Sequence, residues 1–425
     1  MEVVRNLQKK LNEFLSNFTL VNYIAIFSIV LIYGFSLKNV SSFSCLIEHH
    51  KIYSAQGWVS SNPIITSSGK YYKCDFIPSF VKSKKELSTF STNGKITLLI
   101  PKEIIETHYP GKLYSTIGES IFVEEGSILN VQIEQLNKKT DESFFIVKKA
   151  EFLGWKNFLS KIRGFFRLQF KRLMYMWGNA GGLLLALLSS SKEYTSFEFS
   201  NAFRLAGLSH ILALSGMHVS IFSTLTEKTF FKILGKNKTN FLSLIIVLLF
   251  VWFAGIAPSL TRAMISTIII FIAAKLNLKL KIIDVLCLSF LIQLSLYPQD
   301  SSSISFILSY LALFGILTVG TYIKPFLTNF LGTTLSSSLS SSIGAVLVTI
   351  PVCAVIWGYI TPIGIISTIF ISPLVTFFLI FGLISVIICL IFPFFTYPLG
   401  TILQIVYYLI DNVATLFAKV PPIIF

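Results

Sequence analysis

Residues 206–219 read AGLSHILALSGMHV, setting two histidines, two serines and two glycines in a run that a bilayer would otherwise accept as a plain apolar helix. Polar side chains and helix breaks are costly in lipid and mark functional paths. Spaced eight apart, His210 and His218 fall about two turns from each other on one helix face, and Ser215 with His218 forms an i, i+3 pair. Three chemistries suit such a set. The side chains could line a polar conduit, or Ser215 could serve as a nucleophile with His210 or His218 as base, which demands hydrogen-bond reach and an oxyanion site. They could also cap a helix break at Gly216 or brace neighbouring helices. Arg262, four residues after Pro258 in a run of Ala, Met, Ile, Ser and Thr, either snorkels to the surface or points into a polar lumen where it meets phosphates. Arg204, near the outer end of the run, divides the same way. The expectation is that His210, Ser215, His218 and Arg262 face one polar cavity, with the break at Gly216 creating the concavity.

A second basic set lies upstream. Trp155, Phe158, Leu159, Ile162, Phe165, Phe166 and Leu173 recur at helical spacing, while Arg163, Arg167 and Lys171 stack at four-residue intervals on the opposite face. This predicts an amphipathic helix at 153–173, lying in lipid headgroups with its basic row free to make phosphate contacts at the entrance of a conduit.

The elements that position these residues follow from composition. Of 425 residues 53% are hydrophobic and 13% charged, with 40 Phe and a mean hydropathy of +0.73. Such a chain has more apolar surface than a soluble domain buries and is polytopic in the membrane. Arg5, Lys9 and Lys10 precede an apolar run over 18–37, which predicts a signal anchor with its N-terminus inside. Between 38 and 152 the polar turns SSNP, SSGK, STNG and YPGK separate candidate strands at Tyr53–Val59, Tyr71–Ile77, Ile96–Ile100, Ile128–Leu136 and Phe144–Phe152, enough for a small barrel or sandwich outside the cytoplasm. Cys45 and Cys74 could pair there or stay free, whereas Cys287, Cys353 and Cys389 read as buried small hydrophobes. From 174 to 425 the chain alternates apolar spans with short loops. Lysines at 228, 232, 236 and 238, and at 275, 279 and 281, place those two loops inside. Met174–Ser190, interrupted by Gly178, Gly181 and Gly182, would then be re-entrant or buried in protein. Hydroxyl clusters at Ser301–Ser303 and Thr333–Ser342 suit either carbonyl bonding within helices or the wall of a wet conduit.

The net charge of +15 suits anionic lipid or a passing polyanion. There is no G-x-x-x-x-G-K-[S/T] phosphate loop, so ATP hydrolysis is not expected. His49–His50 has no matching ligand set, and neither a metal nor another cofactor is expected.

The stretch 206–219 closely resembles the signature of the ComEC competence family, A-G-x-x-H-L-L-A-I-S-G-L-H-V, through Gly207, His210, Ala213, Ser215, Gly216, His218 and Val219. APSLTRAMIST (257–267) is similar to the family's P-S-x-x-R-A-x-x-M element, LYPQDSSSISFILSYLALFGIL (296–317) to its D-P…G-F-x-L-S-F-x-A…G-I element, and IISTIFISPLV (365–375) to its N-L-L-A-I-P-L element. Ser301, Ser305 and Thr368 depart from those patterns. QGWVSSNP and GSILNVQIEQL resemble its OB-like domain. The resemblance implies an inner-membrane channel, not an enzyme, that carries single-stranded DNA into the cytoplasm during natural transformation. It would work with a periplasmic DNA receptor and a cytoplasmic helicase or single-strand-binding partner. It also implies a short form without the metallo-β-lactamase-like domain that many relatives carry at the C-terminus. An intramembrane serine hydrolase and a small-molecule or lipid transporter are the alternatives.

Overall fold

The computed structural model describes residues 19–34, 43–45, 51–66, 68–83, 89–106, 123–135 and 144–424. The basic tail with Arg5, Lys9 and Lys10, and the pair His49–His50, lie outside the described residues.

Helix α1 (Leu20–Gly34) leads to a β region: β1 (Ser44–Cys45), β2 (Ile52–Val59), β3 (Ile64–Ile65), β4 (Tyr71–Ser83), β5 (Thr89–Asn93), β6 (Ile96–Pro101), a short α2 (Lys102–Glu106), β7 (Ser127–Gln135) and β8 (Phe144–Trp155). Alternation of buried and half-buried residues along β7 and β4 is the period-2 pattern of strands with one face on a core. The five strands expected from the sequence are the five longest, and they close on themselves. β2 pairs antiparallel with β4 and β7, β7 with β8, β4 with β6, and β8 returns to β6 in parallel. Closure leaves no open edge among these five. Phe76, Leu98, Val131, Phe145 and Val147 fill the interior. β4 runs past the expected end at Ile77 because a register shift opposite Gly57 accommodates Pro78. Cys74 is buried in this core and Cys45 sits on β1; no disulfide joins the two.

Helix α3 (Phe158–Met176) starts five residues later than expected, because Trp155 ends β8 and packs on the barrel core while Asn157 caps the helix by accepting from the Ser160 amide at 2.8 Å. Then follow α4 (Gly178–Ser189), α5 (Phe197–Leu205), α6 (Ser209–Leu212), α7 (Gly216–Ala254), α8 (Pro258–Lys275), α9 (Ile282–Leu296), α10 (Ile304–Gly315), a π-helical turn at Ile316–Gly320, α11 (Thr321–Trp357), α12 (Gly364–Ile391) and α13 (Thr396–Ala418). A last pair of two-residue strands joins β9 (Tyr359–Ile360) to β10 (Ile423–Ile424).

Among the described residues five helices are long and apolar enough to cross a membrane. Two of them reverse direction. In α7 Gly235 has φ 72°, and the halves fold back so that the Phe222 and Phe250 rings lie 4.3 Å apart and Ser223 meets Ser243 at 2.8 Å. In α11 Gly332 has φ 69°, and Thr328 meets Ser336 at 3.1 Å across the turn. Only glycine adopts this left-handed backbone without strain. The half 216–234 is about 28 Å long at 1.5 Å per residue, enough for one crossing.

α4, at 12 residues too short to cross, is buried from Ala180 to Ser189 in the middle of the helical core. Its first turn is held by α13, where Gln404 Oε1 accepts from the Ala180 amide at 3.2 Å. A Cβ on Gly182 would run into the backbone at Tyr194 and one on Gly181 into that at Met174, while Gly178 takes a φ of +56°, which explains the glycines that interrupt this segment. The hydroxyls of Ser336 and Ser340 bond to carbonyls within α11, so those members of the cluster serve the helix itself.

Candidate conduit site

The signature is not one helix. After α6, Ala213 and Ser215 take extended backbone and α7 starts afresh at Gly216, so His210 and His218 sit on different helices and do not share a face. His210 is exposed, whereas His218 is 0% exposed. The break is built in from both sides. Ser367 on α12 donates to the Ala206 carbonyl at 2.7 Å, and Ser259 on α8 donates to the Leu214 carbonyl. Gly207, with φ +73°, packs on α12 so closely that a Cβ there would come within 2.7 Å of the Gly364 Cα.

At the start of α7 Ser215 is the N-cap. Its Oγ accepts from the Met217 amide at 3.3 Å, while His218 Nδ1 accepts from the Ser215 amide at 3.2 Å. An Nδ1 that accepts must be unprotonated, so the neutral imidazole carries its proton on Nε2. That Nε2 is buried without a hydrogen-bond partner. Two more buried groups, adjacent to each other near the start of α8, share this state: Thr261 Oγ1 and Arg262 Nε. Arg262 donates through Nη1 to the Ser309 carbonyl at 3.1 Å, and its Nη2 lies where a Cβ on Gly216 would come within 2.7 Å. Among the described residues no carboxylate pairs with Arg262. The guanidinium thus faces the positive end of α7, an arrangement that an anion would favour. Arg204 stays outside: exposed on α5, it donates to Asn201 and lies over the Tyr359 ring.

Three residues that sequence reasoning missed extend the polar cluster towards the barrel side. Gln293, fully buried in α9, donates to the Pro258 carbonyl at 3.0 Å and to Asp300 at 2.8 Å, and accepts from Tyr310 Oη at 3.0 Å. A lone amide in the apolar run IIDVLCLSFLIQLSL was the signal available for it.

The Ser215 Oγ to His218 Nδ1 distance is 3.4 Å. Both atoms are already engaged in capping, and no carboxylate orients the imidazole among the described residues, so the pair lacks the third member of a hydrolytic triad.

The basic helix corrects the expectation most sharply. Phe158, Leu159, Phe165 and Phe166 point outward, and Arg163, Arg167 and Lys171 point into the protein. Arg167, 2% exposed, bonds Glu124 through Nε at 2.8 Å and the Phe253 carbonyl through Nη1 at 2.8 Å. Lys171 lies 2.7 Å from Glu124 and 2.9 Å from Glu193. Arg163 reaches Glu125 and Asn62, whose own amide donates to the Ala254 carbonyl at 2.9 Å. The row is turned inward because carboxylates from the 123–126 turn and from the α4–α5 loop, together with the last carbonyls of α7, supply its partners. It is not available for phosphate. Burial alone would push the Glu124 carboxyl up, but Arg167 and Lys171 overcome this and bring it down to about 2. Burial opposes the charge on Lys171, and Glu124 and Glu193 outweigh it and raise its pKa.

A closed β barrel, tied by buried ion pairs to a bundle of membrane-length helices that contains a broken, donor-rich segment, defines a multi-pass membrane protein with a β domain. The family described as Competence protein matches residues 187–424, and the chain belongs to it. The chain is similar to ComE operon protein 3 of Bacillus subtilis (strain 168), 27% identical over 140 residues, which is 32% of this chain and 18% of that protein. It is also similar to an uncharacterized protein of Aquifex aeolicus (strain VF5), 28% identical over 217 residues, 49% of this chain and 48% of that one. The matches thus take in less than half the length of either relative. No solved structure matches the chain.

Proposed function

We propose that this protein is the inner-membrane conduit through which single-stranded DNA enters the cytoplasm during natural transformation. Its family and its similarity to ComE operon protein 3 support a competence role. The observation that carries the mechanistic reading is the set of unmet groups at the broken helix: His218 Nε2, Thr261 Oγ1 and the Nε of Arg262, whose guanidinium has no carboxylate partner among the described residues and lies beside the N-terminus of α7. Each unmet buried donor costs about 1–3 kcal/mol, which a passing phosphodiester relieves. A few such contacts hold a phosphate weakly enough to release it, as transit requires.

In this reading 1–37 form the tail and first span, and 38–152 an extracytoplasmic OB-like domain. The strand order β2-β4-β6-β8-β7, closed by β7 on β2 and with β6 and β8 parallel, supports that assignment. Residues 153–173 form an interfacial helix whose outward phenylalanines suit lipid, and 174–425 form the channel core. His210 marks the mouth of the path and Gly216 the close approach of Arg262. Partners are single-stranded DNA, membrane lipid, a periplasmic DNA receptor and a cytoplasmic helicase or single-strand-binding protein.

The test is transformation frequency with protein abundance measured in parallel. Arg262→Ala should abolish uptake at parental abundance, with labelled DNA still reaching the periplasm, and Arg262→Lys should retain part of it. Parental transformation by Arg262→Ala would refute the conduit site.

A further inference from the structure

With the basic row of α3 buried, contact with incoming DNA must fall elsewhere, and the barrel carries one outward face with the needed chemistry. Its residues are neighbours by register. Lys82, Ser54, Gln132 and Lys149 lie side by side across β4, β2, β7 and β8, and one step along, Phe80, Gln56, Asn130 and Glu151 do the same. A further step brings Trp58 beside Ile128. Neighbours across strands are about 4.8 Å apart and successive rows about 6.7 Å.

Three rings stand on this face. Phe80 is 51% and Tyr53 42% exposed, and Tyr53 is turned over the sheet by its hydrogen bond to Gln132 Oε1 at 3.2 Å. Trp58 is half-buried with the Lys156 ammonium 4.2 Å from its ring centroid. The cations on the face are Lys82, Lys149 and Lys156. The single carboxylate of the two rows, Glu151, is engaged by Asn130 at 3.1 Å.

We propose that this face binds single-stranded nucleic acid and delivers it to the membrane core, an inference that rests on the DNA-uptake reading above. Rings give sequence-tolerant stacking for unpaired bases, lysines follow the backbone, and side-chain amides bond base edges. Paired bases cannot reach the rings, so duplex is excluded. A lipid surface would need a contiguous apolar face, and here amides and ammonium groups interrupt the first two rows and the Lys156 ammonium covers Trp58 in the third. Direction is set by the fold: β2 runs from the Ser54 row through Trp58 towards Asn62, which is bonded to the Ala254 carbonyl at the end of α7. A strand stacked along the rings is thereby led to the barrel-side end of α8, which carries Arg262.

The test uses the purified full chain in detergent and a fluorescent oligothymidylate read by anisotropy. Tyr53→Ala with Phe80→Ala should weaken binding at least about 10-fold, since stacking on one ring accounts for roughly that factor. Lys82→Gln with Lys149→Gln should lower the slope of log affinity against log salt by about 1.4. Lys161→Gln, on the outward side of α3, should change nothing. A bromodeoxyuridine strand irradiated on the unsubstituted chain should leave its adducts within residues 53–58 or at Phe80. Parental affinity in both double variants, adducts confined to other segments, or equal competition by duplex would each overturn the proposal. So would a parent chain that binds no oligothymidylate. None of these results touches the conduit reading, which stands or falls on transformation by the Arg262 variants.

Discussion

Glu124→Gln removes the one charge that two buried cations share. Glu124 and Lys171 are each 1% exposed, and the carboxylate lies 2.8 Å from Arg167 Nε and 2.7 Å from Lys171 Nζ. Taking one partner from a buried ion pair costs about 3–5 kcal/mol, because the survivor stays desolvated without its countercharge. Here Lys171 keeps Glu193 at 2.9 Å and Arg167 keeps the Phe253 carbonyl, so the loss should fall near the lower end, about 3 kcal/mol. At 1.4 kcal/mol per tenfold, the joint between barrel and helices should open more than about 100 times as often. Hydrogen exchange read by mass spectrometry over 158–176 in detergent measures this directly, since exchange there follows local opening. Adding Arg167→Met restores neutrality, leaves the Lys171–Glu193 pair in place and should recover part of the protection. Parental exchange and melting in the single variant would refute the view that this cluster holds barrel and core together.

Gly207→Ala should lower abundance and transformation together, because a Cβ there collides with Gly364 and a φ of +73° adds about 1–3 kcal/mol of strain; parental levels on an immunoblot would contradict the packing. Ser215→Ala removes a helix cap at a cost of about 0.5–2 kcal/mol and should reduce transformation only in part, whereas loss of nearly all activity, together with labelling of Ser215 by a covalent serine probe, would favour a hydrolase. Acid should loosen the joint. Glu124 is depressed to about 2, so its contribution is complete above the ordinary carboxyl range and fades as pH falls towards 2, while the raised Lys171 contributes below the ordinary lysine range and fades only as pH rises beyond it. Exchange over 158–176 should therefore stay flat from about pH 5 to 9 and rise below about 4.

The five barrel strands were legible from alternation and turn residues, because a closed sheet with a private core keeps its period-2 pattern undisturbed. The helix at 158–176 was legible as an amphipath but its sense was not. Spacing alone lays the helix in lipid headgroups with its basic stripe free for phosphate, whereas Glu124, Glu125 and Glu193, distant in sequence, turn that stripe into the protein. Spacing alone put His210 and His218 on one face, and the extended backbone at Ala213 and Ser215 separates them. The reversals at Gly235 and Gly332 carry little signal beyond the glycines themselves. Thr261 and Gln293 escaped notice because single neutral polar groups in spans are common and only their surroundings make them count.

The capped end of α7 bears on biogenesis. The barrel and α3 precede α7 and α8 in the chain, so the ribosome makes the receptor before its ligand. Residues 255–257 (Gly-Ile-Ala) join α7 to α8 without a charge, while Lys236 and Lys238 on one arm and Lys275 on the other lie at its far end. On the proposed orientation the second half of α7 and α8 can enter the bilayer as a paired unit, tip first, with the lysines left on the ribosome's side. The emerging tip meets Arg167 and Asn62, whose donors take the carbonyls at 253 and 254 as soon as they surface. In the folded chain the tip of this hairpin is thus held by two donors that precede it in sequence, Arg167 on α3 and Asn62 in the barrel.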